Sequence, residues 1–302
     1  MRNAQLEEVA RRPGDGSWAV AATVTGPSGS VDIGTGIAMT PNGPERRRSV
    51  RIEHTPARAA TALLEVLDVI WLSPAMDGLF NGPAGDRRRF VDRAVMAIDR
   101  SHVTRVNAFD KAVRGRNRLI CEPGFDHTWA EALEGEIAEL GVAIAAARCE
   151  WLGLIAALIA ESGHQGPFPA ASITLEGTVE IALLDGASAT QAEETYRRAL
   201  GDGRPRDAAA GRTLTGPHRS DLKVRHTVTD APAERRSTGE QKALLIGLVL
   251  AQAALVTRLT GRTPVVLLDE IAAHLDESRR HALFDILVGQ GCQTFMTGTD
   301  RT

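Results

Sequence analysis

Cysteine is scarce in this chain: three residues in 302, Cys121, Cys149 and Cys292, odd in number and far apart. Such spacing builds neither a disulfide framework nor a thiolate metal site, and it suits a reducing cytoplasm. Aromatic residues make up only 4% of the chain. Phe90 and Phe109 alone interleave its most basic stretch, so a base-stacking platform for single strands is poorly provided. No sign of charge dominates. Lys and Arg number 35 against 38 Asp and Glu, for a net charge of −3, and any nucleic-acid surface must therefore be a local patch. The most apolar long stretch, Ala243 to Val256, is too short to span a bilayer and carries Gln252. Met1 to Arg12 is polar and charged, unlike a signal peptide. No membrane association is expected. Nor does a Gly-Lys pair occur anywhere, so no residue can be assigned the role of a P-loop lysine. There is no internal repeat and no low-complexity segment.

What is present concentrates between Ser237 and Asp276. The run Ser237-Thr238-Gly239-Glu240-Gln241-Lys242 opens a long apolar helix; then come Val265-Val266-Leu267-Leu268-Asp269-Glu270 and His274-Leu275-Asp276. Small polar residues and a glycine at a helix start leave N–H groups and a positive dipole end free to hold phosphate. Four apolar residues ending in Asp-Glu predict a buried strand that delivers two carboxylates to its mouth, one suited to Mg²⁺ and the other to a hydrolytic water. Either motif alone is ordinary: Ser-Thr-Gly-Glu is also an N-cap with an acidic first turn. Together, in this order, they read as the signature motif, Walker B strand and D-loop of an ABC/SMC-type ATPase.

Three regions are expected. Residues 1–74 hold a short helix over 1–12, an antiparallel meander (Trp18 to Thr25, Val31 to Ile37, Ser49 to Glu53) and a helix from Thr61 to Ile70. Residues 75–165 turn helical. Leu133, Ile137, Leu140, Ile144, Ala147, Trp151, Leu154 and Leu158 make a heptad stripe, which fits a protruding helical arm or a core-facing helix equally well. Gly163 to Pro169 reads as a linker into the region 166–302. There a strand over Ser172 to Glu176, a helix over Ala189 to Ala199 and a charged loop over Gly201 to Gly211 are expected. Strand patterning resumes at Thr213-Leu214 and Leu222 to Val228. A final helix, strand, helix, strand unit implies an α/β crossover with a parallel sheet.

Other blocks narrow the family. Trp71-Leu72-Ser73-Pro74-Ala75-Met76-Asp77, Asn81-Gly82-Pro83, Asp86-Arg87-Arg88-Arg89-Phe90-Val91-Asp92, Arg114-Gly115-Arg116-Asn117-Arg118-Leu119 and Gly216-Pro217-His218-Arg219-Ser220-Asp221-Leu222 resemble those of the bacterial RecF recombination-mediator family. The resemblance implies an α/β fold: an ABC/SMC-like ATPase lobe, a mixed sheet with flanking helices, interrupted by a helical arm. It implies a cytoplasmic protein of DNA replication, recombinational repair and the SOS response to DNA damage. Such a protein binds single-stranded, gapped or junction DNA as an ATP-dependent homodimer with Mg²⁺, alongside other recombination-mediator proteins, and is a weak DNA-dependent ATPase. Ser237 and Gly239 would contact a nucleotide held by the opposite subunit, with Gln241 and Lys242 nearby. Asp269 would hold Mg²⁺, Glu270 would orient or deprotonate the attacking water, and Asp276 would belong to the D-loop at the dimer interface. Thr297 or Thr299 lies where a γ-phosphate sensor stands, or is an ordinary strand-end threonine. His218 is either functional or a turn residue capping local backbone.

Family members carry a strand, a Gly-x-x-x-x-Gly-Lys-Ser/Thr loop and a helix ahead of the point matching Met1. The chain is thus expected to be a truncated member, through a misplaced start or a partial gene, and inactive alone. An SMC- or ABC-type ATPase outside repair, or a non-catalytic DNA-binding or interaction protein, are the alternatives. For DNA, the segment Asp86 to Arg118 carries ten basic residues against four aspartates. Arg87, Arg88, Arg89, Arg114 and Arg116 are the candidates for phosphate contact. The competing reading is a solvated face with i,i+4 pairs.

Overall fold

The computed structural model describes residues 5–298 apart from 28, 42, 46, 162–166 and 272–274. The first elements are β1 (Trp18–Gly26), β2 (Gly29–Ile37), the two-residue pair β3 (Met39–Thr40) and β4 (Gly43–Pro44), β5 (Ser49–Ile52) and β6 (Thr55–Pro56). They form the expected antiparallel meander, ordered β1-β2-β5-β6 with β3-β4 as a separate hairpin. Of the expected opening helix, Leu6–Val9 is one 3₁₀ turn, and residues 1–4 lie outside the described residues. The helix expected from Thr61 to Ile70 is not formed. A 3₁₀ stretch, Ala60–Glu65, gives way to β7 (Val69–Leu72), because Val-Ile-Trp suits a pleated, half-buried surface and finds a parallel partner.

Then come α1 (Ala84–Met96), α2 (His102–Leu119) and α3 (His127–Glu161), followed by β8 (Ala171–Glu176), α4 (Thr178–Leu184), α5 (Ala189–Asp202) and α6 (Arg204–Ala210). The charged loop expected at 201–211 is therefore largely a helix. Pro205 suits its first turn and Gly211, at φ 64°, closes it in the left-handed conformation. Arg204 to Glu134 (2.5 Å) and Asp207 to Arg116 (2.8 Å) hold it down. Thr213-Leu214 forms no strand. The rest is β9 (Asp221–His226), β10 (Ala231–Pro232), α7 (Thr238–Thr260), β11 (Val265–Asp269), α8 (Glu277–Gly289) and β12 (Thr294–Thr297). Strands β10-β9-β8 form one antiparallel sheet, and β12-β11-β7 form the parallel sheet expected of the last unit.

Two apolar cores organise the chain. One gathers β7, β8, β9, β11, α1, α7, α8 and the C-terminal half of α3; the other gathers α2, α4, α5 and the N-terminal half of α3. The heptad stripe thus faces the protein along its length, with Ile137, Ile144 and Trp151 fully buried, and α3 is a shared spine rather than a free arm. Because α5 joins the second core, the helical unit reaches beyond residue 165. Helices α3 and α7, at 35 and 23 residues, are long and apolar enough to cross a membrane, yet 44% and 61% of their apolar windows are buried inside the protein. So α7 outruns the short stretch expected from Ala243 to Val256. Its Gln252 is fully engaged: the Oε1 accepts from Trp151 Nε1 (2.8 Å) and the Nε2 donates to Ala94 O (3.0 Å), tying α7 to α3 and α1.

Candidate nucleotide and DNA site

Strand β11 ends at Asp269 with β12 on one side and β7 on the other. Thr297, at the end of β12, donates its hydroxyl to Asp269 Oδ1 (2.5 Å). The Glu270 N–H is received by that hydroxyl (3.1 Å) and by the Thr297 carbonyl (3.2 Å). Glu270 itself stands at φ 55° with its side chain exposed. A non-glycine residue there is strained, and such strain persists where the surroundings fix it, commonly at functional sites. Asp269 and Glu270 are thus aimed out of the carboxyl end of the sheet. Of the two threonines read as sensors, Thr297 orients this pair; Thr299 and His274 lie outside the described residues.

Helix α7 opens with a complete capping box: Ser237 Oγ accepts from Glu240 N (3.4 Å) and Ser237 N donates to Glu240 Oε2 (3.2 Å). Arg236, and after it Ser237, holds the Glu240 carboxyl below the usual range. Ser237, Thr238 and Gly239 are exposed, and nothing lies within 4 Å of where a Gly239 side chain would begin. Gln241 and Lys242 turn inward instead, both about 5% exposed or less. Asn81 Nδ2 donates to Gln241 Oε1 (2.9 Å), Gln241 Nε2 donates to Arg236 O (2.8 Å), and Lys242 Nζ reaches Asp77 Oδ2 (3.3 Å). Both side chains strap the helix start to the 73–82 loop. The far end of α7 is moored by Arg262, which bonds Asp68 Oδ2 (2.8 Å) just before β7. The start of α7 lies at the carboxyl end of the parallel sheet, since Lys242 and Gln241 reach Asp77 and Asn81 in the loop that follows β7. Asp276 caps α8 by accepting from Arg279 N (2.8 Å).

The arginine candidates divide. Arg116 is fully buried, donating to Glu134 Oε1 (2.9 Å), Asp207 Oδ2 (2.8 Å), Thr213 Oγ1 (2.8 Å) and Leu200 O (2.6 Å). It cannot reach a phosphate, and its role as a DNA candidate is corrected to a clamp on the helical core. Arg87 is spent likewise, on Asp221 (2.6 and 2.9 Å) and the carbonyls of Leu79, Phe80 and Gly82. Arg88 is half-buried and donates to Ser220 O (2.6 Å), whereas Arg89 and Arg114 are exposed. His218 Nε2 bonds Thr213 O (3.0 Å) and its ring leans on Phe109, the backbone-capping role; burial pushes its pKa down. Sequence reasoning missed a second buried knot. Arg148 on α3 holds both oxygens of Asp92 (2.8 and 2.9 Å), Glu180 (3.2 Å), Pro217 O (2.7 Å) and Ser220 Oγ (2.9 Å), while His102 Nε2 shares Asp92 Oδ1 (2.8 Å). An arginine on a helix otherwise read as an apolar stripe was the available signal.

Among the described residues no cluster of three His, Cys, Asp or Glu could hold a metal alone. Two carboxylates and a hydroxyl are hard oxygen donors, and Mg²⁺ commonly completes its shell with waters and substrate phosphates. The donor set fits Mg²⁺ when a nucleotide shares it.

Comparison with known proteins supplies the family. A DNA replication and repair protein RecF from Mesorhizobium japonicum is 55% identical over 300 residues, covering 99% of this chain and 78% of that protein. Its counterpart from Rhizobium meliloti is 54% identical over 301 residues, covering 100% and 79%. The chain belongs to the RecF family. A solved recombination mediator protein RecF bound to ATPrS shares the fold, with a TM-score of 0.84 at 19% identity, over 99% of this chain and 79% of that one. A RecF–ATP structure matches at 0.83. No family model matches the chain. As a RecF-family DNA replication and repair protein it has the expected ABC/SMC-like architecture, and an ATPase role outside repair is set aside.

Proposed function

We propose that the chain works in replication and repair as one half of an ATP-dependent homodimer that closes on single-stranded or gapped DNA, in the cytoplasm and alongside other recombination-mediator proteins. The observation that carries this reading is the split of the site. Asp269 and Glu270 emerge at the strand ends, while the first turn of α7, Ser237 to Gly239, is exposed, with nothing among the described residues within 4 Å of where a Gly239 side chain would begin. A phosphate bound there gains free N–H donors and a positive helix end, and the exposed position suits a nucleotide seated on a second copy. RecF–ATP structures exist for related proteins. Asp269 would hold Mg²⁺ with the nucleotide; the ion, when bound, neutralises phosphate charge. Thr297 keeps Asp269 oriented, Glu270 would orient or deprotonate water, and Asp276, the cap of α8, would make the D-loop contact.

No lysine-bearing P-loop occurs in these 302 residues, so a fluorescent-nucleotide titration of this chain is expected to show no tight ATP binding. Micromolar binding abolished by Asp269→Asn would overturn that. With a relative's P-loop segment fused ahead of Met1, ATP is expected to produce dimers and to strengthen binding of gapped DNA. Ser237→Arg should remove that gain while sparing basal affinity. Sedimentation that stays monomeric with ATP in the fused protein would sink the composite site.

A further inference from the structure

Three guanidinium groups converge on one turn. Gly216 to Ser220 joins the helical unit to β9, and its backbone is pinned from both sides. Arg88 donates to Ser220 O (2.6 Å), and Arg148 donates to Pro217 O (2.7 Å) and Ser220 Oγ (2.9 Å). Arg219 stands in the turn itself, exposed. Gly216, at φ 121°, sets the turn's shape, and a side chain there would run into the Tyr196 hydroxyl.

The three charges are met unequally. Arg148 is matched by Asp92 (2.8 Å) and Glu180 (3.2 Å). The carboxylates whose field reaches Arg88 are Asp221 and Asp92, and both are committed: Asp221 to Arg87 (2.6 Å) and Lys223 (3.0 Å), Asp92 to Arg148 and His102. Among the described residues no carboxylate forms an ion pair with Arg88 or Arg219. Burial, and then the proximity of Arg148 and Arg219, pushes the Arg88 pKa down. Like charges held side by side raise the energy of the empty turn, and an anion relieves it. Arg88 has used one of its five N–H donors on the backbone, and the planar fork that remains matches the oxygens of a phosphate.

We propose that Arg88 and Arg219, on the pinned turn Gly216 to Ser220, form a notch that grips a single phosphodiester of bound DNA. The notch rests on the DNA-binding reading above and gives it a location. It moves the contact away from Arg87 and Arg116, whose charges are spent inside the protein, and brings in an arginine over a hundred positions further along the chain.

The test is a salt-resolved anisotropy titration of labelled gapped duplex with the 302-residue protein. It compares the parent with Arg219→Gln, Arg88→Lys, the double Arg88→Gln/Arg219→Gln and a control, Arg197→Gln, on the exposed face of α5. Arg219→Gln is expected to weaken binding roughly fivefold at low salt. The double variant should lower the slope of log K against log salt by about 0.9, the loss of one phosphate contact. Arg88→Lys keeps charge without the fork and should fall between, and the control should match the parent. Arg219 is exposed, so its variant reports on the notch even if replacing Arg88 perturbs folding, which a thermal melt will show. An unchanged slope in Arg219→Gln and the double variant, with the parent binding normally, overturns the notch and leaves DNA binding standing. A parent that does not bind DNA at low salt overturns the notch, while the ATP-dependent dimer is judged separately on the fused protein. Inorganic phosphate at constant ionic strength should compete weakly with DNA on the parent and not on the variants; phosphate that binds the parent and not the variants without displacing DNA makes the notch a free-phosphate site, and the DNA assignment falls.

Discussion

Glu270 illustrates how a single position carries both cost and function. Held at φ 55° by two bonds to Thr297, it is strained in a way that glycine would not be. Glu270→Gly is therefore expected to raise folding stability by about 1 kcal/mol in urea denaturation, although it removes the carboxylate proposed to handle water. A destabilised variant would show that the backbone is comfortable as it is. The arginines of the 114–118 block make the opposite contrast. Arg116→Ala strips a buried cation from Glu134 and Asp207, and by comparison with other broken buried pairs it should cost about 3–5 kcal/mol. Arg114→Ala, two positions away and exposed, should stay within about 0.5 kcal/mol. Equal effects in denaturant would contradict the burial assigned to Arg116.

Helix α7 is fixed at both ends, and the fixing explains how its exposed first turn keeps its aim. Asp77 and Asn81 strap Lys242 and Gln241, and the strap continues through Arg87, which bonds three carbonyls of the same loop and Asp221 on β9. Asp77→Ala leaves Lys242 buried without its carboxylate. Since Asp77 is partly exposed, the cost should be about 1 kcal/mol, with faster amide exchange confined to the start of α7. Exchange that quickens evenly along the helix would dismiss the strap. Between α1, α3 and α4 the Asp92–Arg148–Glu180 knot sets the acid limit. Burial raises the Asp92 pKa, but bonds from His102 and Arg148 outweigh it and leave the group below the usual carboxylate range. A depressed folded value means that its contribution is fully present above about pH 3.9, the ordinary Asp value, and is lost as pH falls through the folded one. Asp92→Asn should consequently lower stability at pH 5–7 and flatten the fall below about pH 4, as read from urea midpoints across that range.

Across the whole molecule the parallel sheet is narrow: three strands, with β11 in the centre between β12 and β7. The apolar exposure lies on β12 and α8, where Phe295 is 59% and Val288 79% exposed. A bare edge strand with apolar side chains favours association. Light scattering of the purified chain should rise with concentration and fall when Phe295 and Val288 are replaced by Lys. Scattering indifferent to both changes would place the sticky surface elsewhere.

Local chemistry alone determined much of this. A capping motif placed the start of α7, the helix, strand, helix, strand pattern placed α8 between β11 and β12, and the Asp-Glu pair at a strand end was legible because its surroundings are contiguous in sequence. Blocks such as those at 71–92 and 216–222 were sufficient to point to the family. Only tertiary structure decided what the charges do. Arg87, Arg88 and Arg89 are neighbours of one type, and tertiary placement makes the first a structural tie, the second half-spent and the third an exposed arginine paired only with Asp86 on its own helix. Arg116 and Arg148 find partners 18 to 97 and 32 to 72 positions away, distances at which no local pattern registers. The heptad stripe on α3 was ambiguous for the same reason: its period states that one face is apolar, while the elements packed against that face decide between an arm and a spine.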